Sequence, residues 1–287
     1  MNTTSLDLSS KIDAITRELL TILNKVTREL DIPFFVTGAT ARDIILEHAY
    51  GIKSGLATKD FDLGVMVENW EHYQKLLKTL VLTERFTVKD KVVYTLWFEG
   101  KLPVDLIAFG EVEAKDASIS WPPDHSIKLN VMGFKDAWAH AVQVRIAPGQ
   151  EIRIVSPAGL AMLKLIAWRD RHHEAPLKDA ADLALLLTRY VDAGNQERLY
   201  EHHPDLLEAE HFDLQAAGAR MLGRDMALIM SKRTTQAVLE TLNTNADPNG
   251  KDKLIIDILQ HLPDRDYEKA LRLLQSLKQG ILDSESR

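Results

Sequence analysis

The stretch Lys59-Asp60-Phe61-Asp62-Leu63-Gly64-Val65 sets two carboxylates two residues apart at the start of an apolar run. On a β-strand alternate side chains share a face, so Asp60 and Asp62 are predicted to point the same way. Like charges held that close repel, and a fold tolerates such a pair mainly when a cation lies between them. Upstream, Phe34-Phe35-Val36-Thr37-Gly38-Ala39-Thr40 is an apolar run that ends at a glycine. Downstream, Leu102-Pro103-Val104-Asp105-Leu106-Ile107 embeds a single acid in a third apolar run. A charge in a buried strand is costly unless it is paired or metal-bound, whereas on an edge strand it simply faces water. Glycine turn, paired acids and third acid form the candidate catalytic constellation.

The elements that must position these residues are legible as periodicity. Apolar residues recur at helical spacing from Ser9 to Leu30, and Asp31-Ile32-Pro33 ends that pattern. Phe34 to Thr37 reads as a short strand, Gly38 permits a tight turn, and Ala39 to His48 resumes a helical pattern. A strand–glycine–helix junction presents backbone N–H groups that suit a phosphate, and Arg42 in the first turn adds a cation. Most glycines after a strand are only turns, so this junction alone decides nothing. A loop is predicted over Gly51 to Thr58, a strand over Asp60 to Val67 and an amphipathic helix over Trp70 to Leu80. A short strand at Phe86 to Val88 precedes another over Val92 to Phe98, which turns at Glu99-Gly100-Lys101 into a hairpin partner, Leu102 to Phe109. Ala117 to Asp136, with Trp121-Pro122-Pro123, reads as irregular, a loop with short strands, and Val142 to Ile146 and Ile152 to Val155 as strands around Pro148-Gly149.

At Ser156-Pro157, an N-cap serine followed by a first-turn proline, strand signals stop and helical periodicity takes over. The predicted division is 1–155 and 156–287. The helix from Pro157 to Arg171 carries Leu160, Leu163, Ile166 and Ala167 as a stripe, with Lys164 beside it. Leu177-Lys178-Asp179-Ala180-Ala181-Asp182-Leu183 opens the next helix, with acids in its first turns as the helix dipole prefers. His172 and His173 lack the i,i+4 spacing of a helical ligand pair and are expected to face solvent. Further helices are predicted over Leu214–Met230, Thr234–Leu242, Lys253–Leu262 and Tyr267–Leu277, with a turn at Asp247-Pro248-Asn249-Gly250. Arg220, Arg224, Lys232 and Arg233 read as a solvated helix face, with polyanion contact the minority reading.

The chain has 287 residues, 45% hydrophobic and 27% charged, an ordinary globular composition. A net charge of −7 argues against broad adhesion to nucleic acid or anionic membrane but permits a local basic groove. With no cysteine, disulfides, thiolate metal sites and cysteine nucleophiles are excluded. Met1 to Ser10 has no apolar segment of the secretory kind, and no run approaches the roughly 20 residues needed to span a bilayer. The expectation is a soluble, cytoplasmic protein with no membrane partner.

Gly38-Ala39-Thr40, Thr58-Lys59-Asp60-Phe61-Asp62-Leu63 and Val104-Asp105-Leu106 resemble the catalytic signature of the polymerase-β-like nucleotidyltransferase superfamily. Lys164-Leu165-Ile166-Ala167-Trp168-Arg169-Asp170-Arg171 and Pro176-Leu177-Lys178-Asp179-Ala180-Ala181-Asp182-Leu183 resemble the later elements of its AbiEii toxin-like subgroup. The resemblance covers about residues 30 to 190. It departs at Ala39, where family members carry a second glycine or a serine. Thr37 or Thr40 is the candidate for the missing hydroxyl, and the stretch from Gly38 to Asp60 is longer than in compact members. The fold implied is α+β: an N-terminal nucleotidyltransferase core, a mixed sheet flanked by helices, followed by an all-α C-terminal domain.

The activity implied is Mg²⁺-dependent transfer of an NMP from an NTP to an acceptor hydroxyl on tRNA or protein, in a toxin with an antitoxin partner. By resemblance Asp60, Asp62 and Asp105 hold two divalent cations, and Asp105 accepts the hydroxyl proton. Thr37, Gly38, Ala39, Thr40 and Arg42 surround the β- and γ-phosphates, and Lys164 neutralises charge on the triphosphate. Lys178, Asp179 and Asp182 either line the cleft or serve as helix caps and ion pairs. Two rival readings share the residues: a catalytically silent binding protein with this fold, and a small-molecule adenylyltransferase of the antibiotic-modifying type.

Overall fold

The computed structural model of the protein describes residues 6–55, 60–89, 92–174, 176–249 and 251–283. The end of the loop expected before Asp60, with Thr58 and Lys59, lies outside them, as does Gly250 of the last turn. The chain divides into two compact units between Ser156 and Pro157.

The first unit opens with a two-residue strand, β1 (Leu6–Asp7), too short to leave a pattern in the sequence. Helix α1 (Ala14–Glu29) starts later than its apolar spacing suggests, because the Asp13 carboxylate caps it by accepting the N–H groups of Ile15 and Thr16, both at 3.0 Å. Strand β2 (Phe34–Thr37) is buried throughout and feeds α2 (Gly38–Arg42), which widens into a π-helical segment over Asp43–Ala49. Next come β3 (Phe61–Val67), α3 (Trp70–Leu82), β4 (Phe86–Thr87), β5 (Thr95–Phe98) and β6 (Leu102–Gly110). The segment predicted to be a loop with short strands holds a small two-stranded ladder, β7 (Ser118–Ser120) with β8 (Lys128–Asn130), and then a helix the sequence reading did not include, α4 (Phe134–Ala139). Strands β9 (Val142–Ala147) and β10 (Gln150–Ile154) complete the unit.

The strands, β7 and β8 apart, form one mixed sheet in the order β1-β9-β10-β2-β3-β6-β5-β4. The pairs β3–β6, β10–β2 and β1–β9 are parallel; the rest are antiparallel. On one face Phe35 packs edge-on against Phe109 and Phe134, with centroids 5.7 and 5.9 Å away. Gly64, opposite Phe35 in the ladder, makes room for that ring: a Cβ there would overlap it. On the other face Tyr73 of α3 is fully buried and donates its hydroxyl to the Leu106 carbonyl at 2.8 Å. Burial raises its phenol far above the usual range, so it stays a neutral donor.

The second unit is helical. Helix α5 (Pro157–Arg171) is buried along most of its length, which explains why its amphipathic stripe is so weak in the sequence. It is followed by α6 (Pro176–Arg189) and a π-turn over Val191–Asn195, broken at Ala193 and Gly194. Then come α7 (Gln196–His202) and α8 (Pro204–Ala209), both too short for a periodicity argument. Helices α9 (Leu214–Ile229), α10 (Lys232–Asn245), α11 (Lys253–Leu259) and α12 (Tyr267–Asp283) complete it. Helices α9 and α12 cross backbone to backbone: a Cβ on Gly280 would overlap the Arg220 carbonyl, and one on Gly223 the Leu277 carbonyl.

Candidate active site

The sheet gathers the first-unit residues by register. Thr37 pairs with Asp62 across β2–β3, Asp62 with Asp105 across β3–β6, and Asp105 with Thr95 across β6–β5. Partners in a ladder share a face, so Thr37, Asp62, Asp105 and Thr95 form one polar row across four adjacent strands. Strands in such a ladder lie about 4.8 Å apart, so the two carboxylates are immediate neighbours, and both are half-buried. Asp105 is therefore not an edge-strand residue: β6 lies inside the sheet, between β3 and β5.

Asp60 stands just ahead of β3, two residues before Asp62, with the buried Phe61 between them. Its carbonyl accepts the Thr40 hydroxyl at 3.1 Å, which ties the α2 turn to the start of β3. Thr40 is thereby committed, and Thr37, in the row beside Asp62, is the better candidate for the hydroxyl that Ala39 lacks. Gly38 is required twice over. Its φ of +65° is left-handed, and a Cβ there would overlap the Asp62 carboxylate. The turn therefore brings main chain directly against the acid.

Arg42, expected to add a cation to this turn, is 2% exposed, and its guanidinium is ion-paired with Asp43 at 2.7 Å. Ser54 donates to the same Asp43 oxygen at 3.2 Å.

The second-unit residues form their own cluster. Lys164 is 5% exposed and lies 2.5 Å from Asp182 and 3.3 Å from Asp179. Arg171 grips Asp179 with two hydrogen bonds, of 2.7 and 2.8 Å. Burial works against ionisation of Asp179, but Arg171 and Lys164 overcome it and hold the carboxyl below its usual range. Each of the two buried carboxylates thus faces a cation, which offsets the cost of burying it. Lys178, on the same helix, is exposed. His172 stacks on Trp168, with centroids 4.5 Å apart, and its Nδ1 meets the Trp168 carbonyl at 3.1 Å. Arg220 and Arg224 are not a polyanion surface. Both pair with Asp283 at 2.9 Å, and they also reach Glu210 and Asp205 respectively.

Thr95 is the member of the row that motif reading overlooked. Its hydroxyl donates to Asp105 Oδ1 at 2.5 Å. The signal was present in the Glu99-Gly100 turn, which pairs Phe98 with Leu102 and, counting back three residues on each strand, Thr95 with Asp105.

The carboxylates suit a hard divalent cation, since all their donors are oxygen and two of them are adjacent on one face. Among the described residues, no three His, Asp or Glu side chains are drawn together at metal-binding distance. No described helix is long and apolar enough to cross a membrane.

The model of a family described as nucleotidyl transferase AbiEii toxin, type IV TA system, matches residues 21–273. No curated protein matches the chain significantly. Among solved structures, the antibiotic-resistance factor ANT(2'')-Ia is 15% identical, with a TM-score of 0.40 over 70% of this chain and 98% of that one. An antigenic nucleotidyltransferase-like protein from Paracoccidioides brasiliensis is 17% identical, with a TM-score of 0.39 over 67% and 90%. The Thermotoga maritima CCA-adding enzyme, solved with tRNA, is 14% identical, with a TM-score of 0.29 over 96% and 83%.

Proposed function

Because the chain belongs to the AbiEii family of nucleotidyl transferases, we propose that it moves an NMP from an NTP to an acceptor hydroxyl, with Asp60, Asp62 and Asp105 at the reacting centre. The observation that carries this reading is the row Thr37–Asp62–Asp105–Thr95, with Gly38 packed against Asp62. The acceptor oxygen attacks the α-phosphorus, the α–β phosphoanhydride bond breaks, and pyrophosphate leaves. Asp105 takes the hydroxyl proton. The main chain at Gly38 and Ala39 and the Thr37 hydroxyl receive the β- and γ-phosphates, while Thr40 holds the turn to Asp60.

Asp62 and Asp105, with Asp60, would hold Mg²⁺, which supplies charge neutralisation at the phosphates and acidifies the acceptor hydroxyl. Arg42, buried and ion-paired with Asp43, braces the α2 turn, and the Asp43 carboxylate offsets its charge there. Lys164, Asp179 and Asp182 serve as a buried ion-paired cluster that holds α5 to α6 inside the helical unit. The acceptor is a macromolecule, tRNA or protein, and the family's description extends the reading to a toxin with an antitoxin partner.

The test is transfer of α-labelled phosphate from each NTP, with Mg²⁺, onto total tRNA and onto lysate protein, beside an Asp60→Ala, Asp62→Ala double variant. Label that appears on one macromolecule and vanishes in the variant supports the reading and identifies the acceptor class. Tight Mg²⁺-dependent NTP binding with no label on either would replace it with the small-molecule or silent reading. Absence of NTP binding would overturn it altogether.

A further inference from the structure

The row contains one side chain that no motif assigns. Thr95 sits on β5 directly opposite Asp105, and its hydroxyl donates to Oδ1 at 2.5 Å. The strand leaves it little choice of place. Among the described residues β4 pairs with β5 at Trp97 and Phe98, and at Thr95 the ladder runs to β6. The ladder continues past it, because the Leu106 N–H donates to the Tyr94 carbonyl at 2.8 Å. Thr95 is thus held at both its neighbours by backbone pairing. As a β-branched residue on a strand it has few χ1 options, so its hydroxyl arrives at the carboxylate already oriented.

We propose that Thr95 is the positioning residue for Asp105: its hydroxyl engages one carboxylate oxygen and locks the side chain in the rotamer with which it meets a divalent cation. The proposal rests on the nucleotidyltransferase reading of the row. A hydrogen bond from a fixed donor to a ligating carboxylate orients that ligand, and loss of such a partner typically costs about 10–100-fold in metal affinity or activity. The neighbouring carboxylate of Asp62 makes the orientation matter more. A freely rotating Asp105 would spend much of its time in rotamers that do not share a cation with Asp62.

Thr95→Val keeps the β-branched shape and the strand preference and removes only the hydroxyl; Thr95→Ser keeps the hydroxyl. Mn²⁺ affinity, read from the electron paramagnetic resonance signal of the free ion, needs no turnover. It would be measured for the full chain, both Thr95 variants and Asp105→Asn. The expected result is affinity at least about tenfold weaker in Thr95→Val, most of it kept in Thr95→Ser and lost in Asp105→Asn. In the labelled-transfer assay Thr95→Val should lower kcat with little change in KM for NTP. If Thr95→Val binds Mn²⁺ like the unmodified chain while Asp105→Asn does not, Thr95 has no positioning role and the catalytic reading survives. If Asp105→Asn binds Mn²⁺ as well as the unmodified chain does, the row is not a cation site, and both fall.

Discussion

Gly38 shows how much one missing side chain can carry. Its left-handed φ alone would cost an alanine roughly 1–2 kcal/mol, and the added methyl would also displace the Asp62 carboxylate. Gly38→Ala should therefore lower the melting temperature modestly and abolish most NMP transfer; unchanged transfer would show that the turn does not shape the site. Asp62 makes an opposite kind of prediction. Two adjacent, half-buried carboxylates repel, so Asp62→Asn should stabilise the protein in EDTA by a few tenths of a kcal/mol up to about 1 kcal/mol while eliminating transfer. Thermal melts with and without Mg²⁺ would check this, because the cation should stabilise the unmodified chain and not the variant. At this scale much was readable. Two acids two apart, a glycine after a strand and an acid inside an apolar run are each compatible with a merely structural role, and what the sequence made readable was their occurrence together in this order. The burial of Arg42 was not readable, since its partner Asp43 is the next residue and adjacency alone says nothing of which way either turns.

Elements were legible wherever length let periodicity speak. Helices α1, α3, α5, α6, α9, α10 and α12 all declare themselves, and α11, though no longer than α7, does so through Leu254, Ile255 and Ile258, whereas β1, α4, α7 and α8 leave no such pattern. The parallel pairing of β3 with β6, which puts Asp62 beside Asp105, lay beyond the sequence because α3, β4 and β5 intervene along the chain. Basic residues on α9 looked like a solvated face because their acidic partners come from α8 and its end and from α12. The crossing of α9 and α12 is similarly hidden, since Gly223 and Gly280 are each unremarkable in their own helix. Gly280→Ala should push the helices apart and destabilise the helical unit by about 1–3 kcal/mol, read from denaturant unfolding. A much smaller loss would show that the crossing can relax by sliding.

Across the whole molecule, the net charge of −7 hides strong local pairing. In the helical unit, burial works against ionisation of Asp283, but hydrogen bonds from Arg220, Gln279 and Arg224 bring its carboxyl down to about 2. Asp179 is likewise depressed. A carboxyl lowered on folding contributes stability above its unfolded value of about 3.9 and loses it as pH falls toward the folded one. Melting temperature should therefore be flat above about pH 5 and fall steeply below about pH 4; Arg171→Ala should lower it near neutral pH and make the acid-side fall shallower, because Asp179 then takes up its proton closer to the unfolded value. An acid profile indifferent to Arg171 would show that Asp179 is held by other groups. The hairpin between β5 and β6 has a consequence for how this chain can change length. Because the Glu99-Gly100 turn counts off the pairing of Thr95 with Asp105, one residue inserted there would set an apolar neighbour opposite the acid without altering any residue of the row. Of two insertions equally remote from the carboxylates, one in the surface stretch after Gly110 leaves that pairing intact, and one in this turn miscounts it. The site inherits its spelling from a loop that never touches it.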